Sequence, residues 1–67
     1  MKDNKFYKAL KDRLEAKKSS GIATLELYLN NPSAVAEHST LVEEMEGLLM
    51  ALAEADDALE KLEKYFN

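Results

Sequence analysis

The chain holds no cysteine, so neither a disulfide framework nor a thiolate metal site can supplement the single core that 67 residues could build. Glycine is scarce: Gly21 and Gly47 stand alone, which excludes a glycine-rich phosphate loop. There is one proline, Pro32, and aromatic residues make up only 7%, a composition of helical bundles and coiled coils. With so few aromatics the basic stretches lack the stacking residues of a single-strand binder. The longest apolar run, Leu48 to Ala53, falls far short of the ~20 residues that span a bilayer. The charged start, Met1-Lys2-Asp3-Asn4-Lys5, leads into no apolar run of signal-peptide length, so a cytoplasmic protein without a membrane partner is expected.

What is present is periodic. Hydrophobic residues reach 46%, too many for a disordered tail. Leu41, Met45, Leu48, Leu52, Ala55, Leu59, Leu62 and Phe66 follow one another at alternating steps of four and three, a heptad seam of nearly four repeats. Thr40-Leu41-Val42-Glu43 before it has the capping-box pattern. This predicts a helix over about 40–66. In the first half Phe6, Leu10 and Leu14 begin a stripe that Ile22, Leu25 and Leu29 resume; Leu14 and Leu25 are eleven residues apart, a straighter period than a heptad. Lys17-Lys18-Ser19-Ser20-Gly21 is a poor helix former, but the apolar phase continues across it, so one unbroken helix over about 4–29 is predicted. Asn30-Asn31-Pro32-Ser33 ends it, with asparagine suited to a left-handed cap, and residues 30–39 form the connection.

Two helices of equal length joined by a short connection give an all-α antiparallel hairpin, assembling into a helical bundle. Pairing numbers that sum to 69 or 70 sets Leu29 against Leu41, Leu25 against Met45, Leu14 against Ala55, Leu10 against Leu59 and Tyr7 against Leu62. The expected hairpin seam is thus Leu10, Leu14, Leu25, Leu29, Leu41, Met45, Leu48, Leu52, Leu59 and Leu62. Arg13 falls beside Asp56 or Asp57 in this register.

The charges divide in the same way. Residues 1–31 carry seven basic and four acidic side chains, and residues 32–67 carry nine acidic ones against Lys61 and Lys64. These are +3 and −7, giving the net −4, which argues against nucleic acid as partner and for the two halves folding back on each other. Apolar residues outside the seam form second stripes: Ala23 and Leu27 on the first helix, and Val42, Leu49 and Ala53 on the second. A helix pair needs one seam, so these five are the candidate oligomer interface.

No constellation of catalytic or ligand residues emerges. Asp56-Asp57 and Glu43-Glu44 are neighbours that point about 100° apart on a helix, which is no carboxylate dyad. Ser19 and Ser20 have no histidine near them in sequence. His38, the single histidine, sits in the connection without further ligands converging on it. Neither an enzyme, a metal site nor a cofactor is expected.

The segment from Ala23 to Asn31, with Ala36-Glu37-His38 and the closing run from Ala55 to Glu63, resembles short uncharacterised helical-hairpin proteins encoded by marine tailed phages. The resemblance implies a viral setting in the host cytoplasm and no particular activity. Phe6 with Lys8-Ala9-Leu10 is similar to the small subunit of exonuclease VII, another acidic helical hairpin, but the pattern between the helices associated with that subunit is missing. Two functions follow as expectations. The first is a non-enzymatic, oligomerising hairpin that acts through protein–protein interaction, as an assembly or adaptor protein. The alternative is an accessory subunit of a nucleic-acid-processing enzyme. The expected partner is the chain itself, as a dimer ahead of a trimer, with another protein as a further candidate.

A solvated connection residue contributes little to stability, so His38→Ala should leave the thermal midpoint within a few degrees of the parent. A metal-dependent rise in that midpoint, absent from the variant, would instead make His38 a ligand.

Overall fold

The structure is a computed structural model that describes residues 1–31 and 40–67; most of the expected connection, His38 included, lies outside the described residues. Two helices, α1 (Lys5–Asn30) and α2 (Leu41–Phe66), pack against each other as an antiparallel hairpin. At 1.5 Å per residue each of the 26-residue helices is ~39 Å long.

Asn4 starts α1. Its side-chain oxygen accepts from the backbone N–H groups of Phe6, at 2.8 Å, and Tyr7, at 3.2 Å, satisfying two donors that lack helical partners. The helix then runs unbroken through Ser19, Ser20 and Gly21. At its end the Asn31 N–H donates to the Leu27 carbonyl at 2.9 Å. Asn31 has φ −147° and ψ 65°, so the expected left-handed cap is replaced by a more extended exit. The proline that follows explains this, because its ring crowds the preceding residue out of the α region.

The capping box expected at Thr40-Leu41-Val42-Glu43 does not form, since Thr40 makes no side-chain cap bond. Its hydroxyl bonds instead to Glu44 Oε1 at 3.4 Å, while its carbonyl accepts from the Glu44 N–H at 3.0 Å. Glu43 and Glu44 in the first turn and Lys64 in the last complement the helix dipole.

The seam of α2 holds the expected residues from Leu41 to Leu62, all buried or half-buried, and leaves Phe66 exposed. The seam of α1 is a different set from the apolar stripe. Tyr7, Lys11, Leu14, Lys18, Gly21, Leu25 and Tyr28 form it, buried or half-buried at alternating steps of four and three, with Thr24 half-buried beside Leu25. Leu14 and Leu25 stay in it. Leu10, at 47% exposure, and Leu29, at 61%, lie outside, as do Phe6 and Ile22. Each displaced residue neighbours a true seam position: Phe6 beside Tyr7, Leu10 beside Lys11, Ile22 beside Gly21, Leu29 beside Tyr28. Lysine can occupy such positions by laying its apolar stem along the seam and carrying its ammonium to the edge.

The register moves accordingly. Lys11 reaches Glu63 and Lys18 reaches Asp56, pairs that sum to 74, and Tyr28 bonds Glu44, a pair that sums to 72. The helices are thus offset by about one turn from the expected sum of 69 or 70, which levels Leu14 with Leu59 and Leu25 with Leu48. Arg13 pairs with neither aspartate: Asp56 takes Lys18, and Asp57 takes Lys61 at 2.8 Å on its own helix. Leu52 fixes the middle of this register by packing over Gly21, where a side chain is missing.

Among the described residues Tyr7, Ala55, Leu59 and Leu62 are the buried hydrophobic ones, and all four lie in the half of the hairpin nearer the chain ends. The half nearer the connection holds its seam leucines and Met45 only half-buried.

A Cβ at Gly21 would meet Leu52 Cβ at 3.5 Å, an ordinary contact, and one at Gly47 would meet nothing within 4 Å. Both glycines sit inside helices, where alanine is favoured by ~1 kcal/mol. Gly47→Ala should therefore raise stability by about 0.5–1 kcal/mol, and Gly21→Ala by no less than half as much, read from urea midpoints. A bulky residue at Gly21 should do the reverse, because it would lift Leu52 from its seat.

Candidate interaction surface

The seam divides the hairpin into two long sides. On the first, basic residues of α1 meet acidic residues of α2 at seven-residue intervals. Lys11 Nζ stands 3.7 Å from Glu63 Oε1, and Lys18 Nζ 2.9 Å from Asp56 Oδ1. The hydrogen bond to Asp56, then its charge, raises the Lys18 pKa above 10.5. Both rungs are well solvated, so they guide the register more than they stabilise the fold.

The ladder loses its charge one repeat nearer the connection. In α2 the positions seven and fourteen residues before Asp56 are Leu49 and Val42, 54% and 78% exposed. In α1 the positions four residues after Lys18 and Leu25 are Ile22 and Leu29, on the same flank. This side is therefore charged toward the chain ends and apolar toward the connection.

The second side is a groove of about 660 Å³, lined by the small residues Ser20, Gly21, Thr24, Ala51, Ala55 and Ala58 and by the seam leucines Leu14, Leu48 and Leu52. Arg13, Lys17 and Glu54 also line it, which is where Arg13 goes in place of its expected partner. Toward the connection the Tyr28 hydroxyl donates to Glu44 Oε2 at 3.1 Å, across the helices. With Thr40 on the other oxygen of the same carboxylate, Glu44 ties both helices together there. The sequence pattern gave no sign of this tie, because its members belong to two helices and to a register one turn away.

The five candidate interface residues are all exposed, but they do not share one surface. Val42, Leu49 and Ala53 flank the ladder side. Leu27 lies toward the groove side, and Ala23 points away from the seam. The α1 residues that accompany Val42 and Leu49 are Ile22, a member of the apolar stripe, and Leu29, which was expected in the hairpin's own seam.

Among the described residues no three histidine, aspartate or glutamate side chains converge as a metal site would require, and no helix is long and apolar enough to cross a membrane. The described residues form two surfaces, one amphipathic side and one groove lined by small residues and seam leucines.

The bond to Glu44, then the carboxylate charge, raises the Tyr28 pKa above 10.0. A group whose pKa is raised on folding contributes stability that is complete below its unfolded value and lost as pH climbs through the folded one. Helicity should accordingly fall above about pH 10, where Tyr28 loses its proton. In Glu44→Gln the Tyr28 titration, followed by NMR at the ring carbon bearing the hydroxyl, should move back toward 10.0. An unmoved titration would mean that the tie between the helices is not made in solution. Searches of the chain against protein-family models, curated proteins and solved structures found no match.

Proposed function

We propose that the chain is a non-enzymatic helical hairpin that oligomerises with itself and acts through protein–protein interaction, in an assembly or adaptor role. The observation that supports this reading is the imbalance of burial. Among the described residues four hydrophobic residues are buried, whereas Ile22, Leu27, Leu29, Val42, Leu49 and Met50 toward the connection, and Met1, Phe6, Leu10, Tyr65 and Phe66 toward the chain ends, are each at least 40% exposed. Below ~70–80 residues one core rarely supplies more than ~3–5 kcal/mol, and oligomerisation is a common supplement. Exposed apolar surface of this extent, rimmed by charge, marks an interaction site.

Sedimentation equilibrium of the purified chain at micromolar concentration tests the proposal. The expected species is a folded homodimer, twice the 7.6 kDa chain. A fully helical monomer would refute it. A chain that aggregates alone and dissolves only with a larger protein would point to the accessory-subunit alternative.

A further inference from the structure

We infer that the second copy docks on the ladder side, with the connection ends of the two hairpins together and a twofold axis parallel to the helices. Each α1 then lies against the other copy's α2. The inference rests on the homo-oligomeric reading above, and adds to it a face and an orientation.

The face follows from where burial is missing. Toward the chain ends Tyr7, Ala55, Leu59 and Leu62 close the seam without help. Toward the connection the seam is only half-covered, and its ladder flank carries Ile22, Leu29, Val42 and Leu49, all exposed. A partner laid along this flank covers the apolar half of the face and the poorly sealed seam beneath it at once. The groove side also exposes the seam leucines Leu14, Leu48 and Leu52, but small or charged residues, Ser20, Ala51, Arg13, Lys17 and Glu54 among them, flank them there, and Tyr28 and Glu44 make a polar tie toward the connection.

Charge complementarity identifies the occupant as a second copy and selects its orientation. Helix α1 carries six basic and three acidic residues, and α2 carries eight acidic and two basic. A twofold axis along the helices sets α1 of each copy beside α2 of the other, antiparallel, so opposite charges meet across the interface. It also brings apolar half against apolar half, and charged half against charged half. A twofold axis across the helices would do the opposite on both counts. It would face α1 with α1 and α2 with α2, and would lay Ile22, Leu29, Val42 and Leu49 over Lys11, Lys18, Asp56 and Glu63. Like charges would then be juxtaposed, and the charged rungs would be stripped of water against apolar surface. The opposite charges of the two helices and the apolar half of the ladder side thus select the same arrangement.

Three chains and one label test it. Val42→Glu, in which the replaced side chain has little packing within its own hairpin to lose, and the Val42→Glu/Leu49→Glu double variant should each weaken the dimer, the double by at least ~10-fold in Kd. Leu27→Glu, on the other side, should stay within ~2-fold of the parent. A parent dimer indifferent to Val42 and Leu49, or one dissociated by Leu27→Glu, would overturn the face. A folded parent monomer would instead sink the function reading itself. Orientation is read from spin labels at Asn67→Cys, a position ~20 Å from the middle of α2 along its axis. With connection ends together, pulsed electron resonance should give one interchain distance below ~30 Å; head-to-tail copies would hold the labels ~40 Å apart or more and overturn the orientation.

Discussion

The offset between the helices is the constraint on which the other features depend. Leu52 seats over Gly21, and from that contact outward every pair is fixed: Lys18 with Asp56, Lys11 with Glu63, Tyr28 with Glu44. Helices can slide past each other by a turn and still present apolar residues to apolar residues, so leucine pattern alone selects no register. The small residue at Gly21 contributes to the choice, because Leu52 packs over it and a bulky side chain there would lift Leu52 away. The lysines reinforce the choice, since their stems lie along seam positions while their ammonium groups meet Glu63 and Asp56 at this offset.

That offset makes the two ends of the hairpin unlike. Toward the chain ends tyrosine, leucine and alanine bury the seam and the flanking rungs are charged, while Phe6, Leu10, Tyr65 and Phe66 stay exposed outside it. Toward the connection the same flanking positions carry isoleucine, leucine and valine, and the seam beneath them stays half-covered. A ladder side that is charged toward the chain ends and apolar toward the connection directs association, because two copies meeting on it join like halves in one alignment only. Charge acts in the same sense: it contributes little through each solvated pair but disfavours the arrangements that bring α1 to α1.

The sequence by itself determined the helical class, the unbroken course of both helices and the seam of α2. Each follows from local chemistry: heptad spacing without interruption, the absence of proline within either helix, and a proline placed just after α1. The left-handed cap and the capping box failed where a nearby demand prevailed, the ring of Pro32 in one case and the pull of Glu44 on the Thr40 hydroxyl in the other. Which face of α1 meets α2 was a tertiary decision. Reading only apolar residues selects Phe6, Leu10, Ile22 and Leu29, the larger hydrophobes. Packing selects their neighbours, because Gly21 admits Leu52, Lys11 and Lys18 carry both stem and charge, and Tyr28 reaches Glu44. Whether a lysine or a glycine belongs to a seam depends on what stands opposite it, and that information exists only once the second helix is in place.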